Sequence, residues 1–168
     1  TEEWVARRID NPHVMKAAAA GRPRSYLYCL CEYIEGQTLA QWMRDNPQPS
    51  LERVRDIVEQ IARGLRAFHR LEMLHQDLRP ANILVDGRTA KVADFGLARS
   101  KMFKGQMQMT GGLGTPGYTA PEVFLGNYSE KADVYSFAMC LLEMLSTEMI
   151  VEDLGGTFFT HLREDPAY

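Results

Sequence analysis

Asp77, Arg79 and Asn82 lie within six residues of one another, and a second carboxylate, Asp94, follows twelve residues after Asn82. A positioned carboxylate can hold a hydroxyl and accept its proton. An Arg side chain can grip a phosphate with its planar fork. Mg²⁺ is a hard cation that takes oxygen ligands, typically one or two carboxylates together with substrate phosphates. Asp94 beside Asn82 fits that demand. The same residues also suit a plain loop, an Asp-started turn closed by an Arg salt bridge, so the rest of the sequence must separate the two readings.

The order of the surrounding blocks does so. His75-Gln76-Asp77-Leu78-Arg79-Pro80-Ala81-Asn82 resembles the catalytic loop of eukaryotic-type protein kinases, whose usual form is H-R-D-L-K-P-x-N. Asp94-Phe95-Gly96 stands where that family has D-F-G. Gly114-Thr115-Pro116-Gly117-Tyr118-Thr119-Ala120-Pro121-Glu122 resembles the end of the activation segment, and Tyr128 to Phe137 resembles the start of the family's buried central helix. The fold this implies is α+β and two-lobed, here mostly the helical C-lobe. Residues 1–34 would be an N-lobe remnant and hinge, and residues 35–168 a truncated C-lobe.

The resemblance also implies roles. Asp77 would hold the attacking hydroxyl, Arg79 would place a cation near the transferred phosphoryl group, and Thr115 would hydrogen-bond Asp77. Asn82 and Asp94 would be the Mg²⁺ ligands. Glu32-Tyr33-Ile34-Glu35-Gly36 looks like the hinge that reads adenine, with Cys31 as gatekeeper, Glu32 and Ile34 at the nucleotide and Leu84 in the adenine floor. Glu2 falls where the family keeps the helix glutamate that pairs with a strand lysine, with Glu3 the competing candidate. Asp133 would cap the catalytic-loop backbone. ATP and Mg²⁺ are the implied cofactors, and a protein is the implied substrate.

The departures matter as much. Gln76 replaces the usual Arg that meets a phosphorylated activation loop, a charge-assisted contact that a neutral amide cannot make. Arg79 replaces the usual Lys, as tyrosine kinases often do near here, whereas Pro80 and Thr115 favour Ser/Thr specificity. The sequence contains no G-x-G-x-x-G loop and no V-A-I-K strand; Gly111-Gly112-Leu113-Gly114 follows D-F-G and cannot be the phosphate lid. The chain is therefore expected to be a piece of a longer protein and inactive alone. Two competitors remain: a pseudokinase or scaffold, against which Asp77, Asn82 and Asp94 argue together, and a small-molecule kinase of related fold, against which Thr115 and Ala120-Pro121-Glu122 argue.

The elements that must position these residues follow from pattern. Glu2–Ile9 reads as a helix end stopped at Asp10-Asn11-Pro12, and Tyr26–Ile34 as a strand. Thr38 caps a short helix, Leu39–Asn46. Ser50 caps a longer one whose apolar face is Leu51, Val54, Val58, Ile61, Leu65 and Phe68. Ile83–Val85 and Lys91–Ala93 form a hairpin around Gly87. Residues 99–117 read as a long loop, and Val134, Phe137, Leu141 and Leu145 as a helix apolar enough around its circumference to be buried. With 45% hydrophobic and 24% charged residues and a net charge of -3, the chain has the balance of a globular domain and no basic surface for nucleic acid. No apolar run is long enough to span a bilayer. Cys29, Cys31 and Cys140 lack metal-ligand spacing and read as reduced core thiols of a cytoplasmic protein.

Overall fold

The computed structural model describes residues 7–18, 30–93, 99–100, 115 and 117–146. Among these the order is β1 (Ala17–Ala18), β2 (Leu30–Cys31), β3 (Gln37–Thr38), α1 (Leu39–Asp45), α2 (Leu51–Arg70), β4 (Met73–Leu74), a 3₁₀ turn at Pro80–Asn82, β5 (Ile83–Asp86), β6 (Thr89–Val92), β7 (Arg99–Ser100), a second 3₁₀ turn at Pro121–Leu125, and α3 (Glu130–Leu145). Both expected caps are present. Thr38 Oγ1 accepts the Gln41 N–H and Ser50 Oγ accepts the Arg53 N–H, each at 3.2 Å, which satisfies donors that a helix start otherwise orphans.

Helix α2 organises the core. Its buried face is Val54, Ile57, Ile61, Leu65 and Phe68, each 4% exposed or less, and each contributes roughly 1.5–3 kcal/mol by leaving water. The expected face is corrected at two places: Leu51 is exposed and Ile57 is buried. Leu51 is the first residue after the Ser50 cap, beyond the reach of the core that Ile57 enters one and a half turns later. Gly64 sits on this face because a Cβ there would meet the His13 carbonyl oxygen at 2.5 Å. That close approach lets residues 9–15 lie across α2, with Ile9 and Val14 in the same core.

The hairpin β5–β6 pairs antiparallel with Ile83 opposite Val92 and Leu84 opposite Lys91. Gly87 takes φ 51 in its turn, a left-handed angle that glycine adopts without strain. The second strand ends at Val92 rather than Ala93, because the Ala93 N–H leaves the ladder for the Asn82 carbonyl at 2.9 Å. From α2, the Gln60 side chain accepts the Ala90 N–H and donates to the Arg88 carbonyl, both at 2.8 Å, fixing the hairpin to the helix. β3 extends the sheet on the other side of β5.

Four further expectations change in their described parts. Residues 7–9, the described part of the segment Glu2–Ile9, form a turn and no helix. The strand expected over Tyr26–Ile34 ends at Cys31 in its described part; the chain then bends, with the Gly36 N–H on the Ile34 carbonyl at 3.0 Å, to bring Gln37 beside Val85. Helix α3 is buried on one side only: Ala132, Asp133, Ser136, Met139, Cys140, Glu143 and Met144 face inward, while Val134, Leu142 and Leu145 are about half exposed. The loop expected from residue 99 opens with a short strand, since Arg99–Ser100 pairs with Met73–Leu74. No described helix is long and apolar enough to cross a membrane.

Candidate active site

The site begins in the buried imidazole of His75. Its Nε2 lies 3.1 Å from the Ala93 carbonyl oxygen, and its Nδ1 lies 3.3 Å from the Asp77 N–H. A carbonyl can only accept and an N–H can only donate, so the tautomer assigned from these partners carries its proton on Nε2. The edge of Phe68 packs on the same ring, 5.5 Å between centroids. A histidine at this position therefore ties the catalytic-loop candidate to the strand leading to Asp94.

Asp133, 2% exposed on α3, holds the same loop from below. Its Oδ2 accepts the His75 N–H and its Oδ1 the Gln76 N–H, both at 2.9 Å. His69 of α2 approaches Oδ2 with Nε2 at 2.9 Å. Gln76 needs such a hold, since its φ of 69 is left-handed backbone that a residue with a Cβ seldom adopts.

Asp77 projects from this anchored backbone, and its two oxygens are taken from two sides. Thr115 Oγ1 donates to Oδ1 at 2.9 Å. The Asn82 amide nitrogen donates to Oδ2 at 2.9 Å and to the Asp77 carbonyl at 2.8 Å. Arg79 Nε stands 3.9 Å from Oδ2 and, although buried at that atom, has no hydrogen-bond partner. Asp77, Arg79, Asn82 and Thr115 are thus brought together. Asp94 and Glu2 lie outside the described residues.

The segment carrying Thr115 is anchored in turn to α3. Ser136 Oγ donates to the Tyr118 carbonyl at 2.6 Å, and the Tyr118 hydroxyl donates to Glu143 Oε2 at 2.5 Å. Burial first, then the hydrogen bond and charge of Glu143, push the Tyr118 phenol far above its ordinary range, so it stays a donor. Burial likewise pushes the Cys140 thiol up, with Glu143 adding to it.

The expected nucleotide side is looser. Cys31 is exposed rather than a core thiol, and its strand pairs antiparallel with Ala17–Ala18; Cys29 lies outside the described residues. Leu84 and Ile34 are half-buried. Glu32 Oε1 accepts Lys91 Nζ at 2.7 Å and the Lys16 N–H at 2.8 Å. Lys91 sits directly opposite Leu84, so both project from one face of the hairpin. Burial raises the Glu32 carboxyl, but the bonds and charges from Lys91 and Lys16 outweigh it and hold the group below its ordinary value. The sequence carried no signal for the Glu32–Lys91, His69–Asp133 or Tyr118–Glu143 pairs, whose partners stand 59, 64 and 25 residues apart.

Asp77 held by Thr115, over a backbone capped by Asp133 of α3, is the arrangement expected of the class. The protein kinase domain family model matches residues 1–164, and the chain belongs to that family. It is 34% identical over 96% of its length to the interferon-induced, double-stranded RNA-activated protein kinase of Mus musculus, of which it covers 32%. It is 37% identical over 92% of its length to a probable serine/threonine-protein kinase of Dictyostelium discoideum, covering 11% of that protein. Against the serine/threonine-protein kinase VIK of Arabidopsis thaliana the figures are 36%, 84% and 34%. The chain thus spans about a third or less of the length of these relatives.

Proposed function

We propose that this chain carries the transfer machinery of a protein Ser/Thr kinase, acting on Ser or Thr hydroxyls of polypeptides with ATP and Mg²⁺. The observation that carries the reading is the Thr115 hydroxyl on Asp77 Oδ1 at 2.9 Å. It couples the polypeptide-docking segment to the carboxylate that would take the substrate's proton, which favours a protein hydroxyl over a small-molecule acceptor. The names of the relatives point to Ser and Thr.

The residues fit the nucleotide and its metal. Asn82 commits its amide nitrogen to Asp77, which leaves its amide oxygen for a hard cation. Arg79 Nε, ion-paired at 3.9 Å with Asp77 but without a hydrogen bond, is a donor suited to a phosphoryl oxygen. When bound, Mg·ATP supplies the phosphoryl group and neutralises its charge. Asp77 orients the attacking hydroxyl and accepts its proton, Thr115 and Asn82 keep that carboxylate from rotating, and Arg79 stands by the negative charge. Gln76 lines the space beside Thr119, Ser129 and Asp133 with a neutral amide, so phosphorylation of the activation segment is not read through this residue.

Transfer is proposed for the full-length protein and not for these 168 residues alone. The two lysines that could stand in for a strand lysine are engaged elsewhere, Lys91 with Glu32 at 2.7 Å and Lys16 with Asp10 at 3.1 Å. The test is Asp77→Asn in the full-length protein with radiolabelled ATP and a basic protein substrate. Incorporation should fall about 100-fold or more while nucleotide binding changes little. A variant that keeps a tenth of the rate removes Asp77 from the chemistry. A wild type with no Asp77-dependent incorporation favours the scaffold reading.

A further inference from the structure

The outward face of α2 carries a charge pattern that neither the core nor the site uses. An α-helix turns about 100° per residue, so Arg55, Glu59, Arg63, Arg66 and Arg70 fall in one stripe, about 140° or more around the helix from Phe68. All five are exposed. Phe68 is the α2 residue that packs on the His75 ring. The stripe therefore looks away from the catalytic loop, and a partner seated on it leaves Asp77 open.

The cations of this face outnumber the carboxylates within their reach. Glu59 is engaged with Arg63 at 2.5 Å, and Asp56 with Arg88 at 3.5 Å. No acidic residue stands three or four positions from Arg66 or Arg70, where a helical neighbour would pair with them. Among the described residues neither makes an ion pair. Arg63, Arg66 and Arg70 instead follow one another at three and four positions, a like-charge spacing that destabilises a helix. The helix dipole favours a cation at Arg70 in the last turn, and its effect fades before Arg66 and Arg63. Three guanidinium groups are thus held within about 10 Å along the axis, on a chain whose net charge is -3.

We propose that this stripe docks an acidic helical segment of a protein partner. Planar guanidinium forks take carboxylates two oxygens at a time. Carboxylates three and four positions apart on a partner helix repeat at the arginines' own spacing. Glu59 inside the stripe, with exposed Glu52 and Glu72 near its ends, interrupts the positive potential. Sparse carboxylates fit around these interruptions. The unbroken charge of a nucleic-acid backbone or an anionic bilayer does not, and the net charge of the chain repels it. The pairs form at an exposed surface, so the contact is weakened by salt and acts mainly on encounter rate and choice of partner. Binding at this face does not depend on the transfer chemistry.

The test is titration of the 168-residue chain into a blocked, fluorescently labelled Ala/Glu helical peptide at low salt, read by anisotropy. Arg66→Glu should weaken binding about tenfold or more, and Lys131→Glu, the same charge change at an exposed position of α3, less than about twofold. If R66E does not fold, Arg66→Gln takes its place with an expected loss of about threefold. Raising the salt should weaken wild-type binding, and the amide resonances of residues 63–70 should shift on binding while that of Asp77 stays in place. Binding weaker than about 1 mM, equal losses in R66E and K131E, or resonance shifts centred elsewhere overturn the proposal and leave the stripe a solvated face. Tighter binding of single-stranded RNA or of phosphatidylserine vesicles than of the acidic peptide, at the same salt, overturns it in favour of that partner.

Discussion

The two sides of the site are built differently. On the catalytic-loop side, Asp133, His75 and Asn82 are all 5% exposed or less, and the backbone N–H groups of residues 75, 76 and 77 end on named side chains. On the expected hinge side, the described β1 and β2 are two residues each, Leu30 is 42% and Tyr33 90% exposed, and the Glu32–Lys91 ion pair is partly exposed. A buried carboxylate must have its partners in place to exist at all, whereas a partly exposed pair is optional. The candidate transfer side is therefore pre-organised by the chain itself, and the expected nucleotide side has little in the described residues to hold its shape.

The sharpest way to break this contrast is Asp133→Asn. The amide nitrogen must then face one or more of the donors of His69, His75 and Gln76. Hydrogen bonds to a charged group contribute ~1.5–3 kcal/mol each and an orphaned buried donor costs ~1–3 kcal/mol. A loss of roughly 3 kcal/mol or more is expected in urea unfolding of the 168-residue chain. A loss near zero would mean that the buried cap does not hold the loop and that the two sides are equally soft.

Gly64→Ala probes the seam between the sides, where the His13 backbone crosses α2. Two effects oppose. Alanine in a helix interior gains ~1 kcal/mol over glycine. The new Cβ, however, falls 2.5 Å from the His13 carbonyl oxygen and 3.1 Å from Val92 Cγ2, and overpacking against backbone costs ~1–3 kcal/mol. The clash should win, with a net loss of roughly 1 kcal/mol by thermal or urea unfolding. A gain would show that residues 9–15 ride loosely on the helix.

What the sequence made legible follows the same division. The Thr38 and Ser50 caps, the hairpin about Gly87 and the cluster of Asp77, Asn82 and Thr115 depend on residue types at short or fixed spacing, and these were readable. The face of α2 was read with Leu51 in place of Ile57, since periodicity does not say where a helix leaves its core. Helix α3 misled in the opposite way: its composition is apolar around the circumference, but only one side meets the described core. His69, Lys91 and Glu143 were invisible as partners. Each is of a type common on surfaces, and only the fold brings it to its mate. The expected Cys31 core thiol failed because Cys31 is exposed, and an apolar, aromatic run in the sequence does not say which of its residues the core covers.

The smallest effect belongs to the Glu32–Lys91 pair, and it tests whether the hinge side has any electrostatic hold. Both side chains are partly exposed, at 30% and 18%, so solvent screens the attraction and the pair contributes at most ~1 kcal/mol. The Glu32 carboxyl lies below its ordinary value of 4.5 in the fold. A depressed carboxyl adds stability that is fully present above the unfolded-state value and is lost as pH falls through the folded-state value. Glu32→Gln should therefore lower stability by less than ~1 kcal/mol at neutral pH, and the gap to wild type should close as acidification passes below the folded-state value. Added salt should shrink the neutral-pH gap in the same direction. A gap that persists unchanged in acid would mean that Glu32 acts through packing or through the hydrogen bonds that its protonated, neutral carboxyl still accepts from the Lys16 N–H and Lys91 Nζ. The hinge side would then be held by shape, as the catalytic-loop side is held by buried charge.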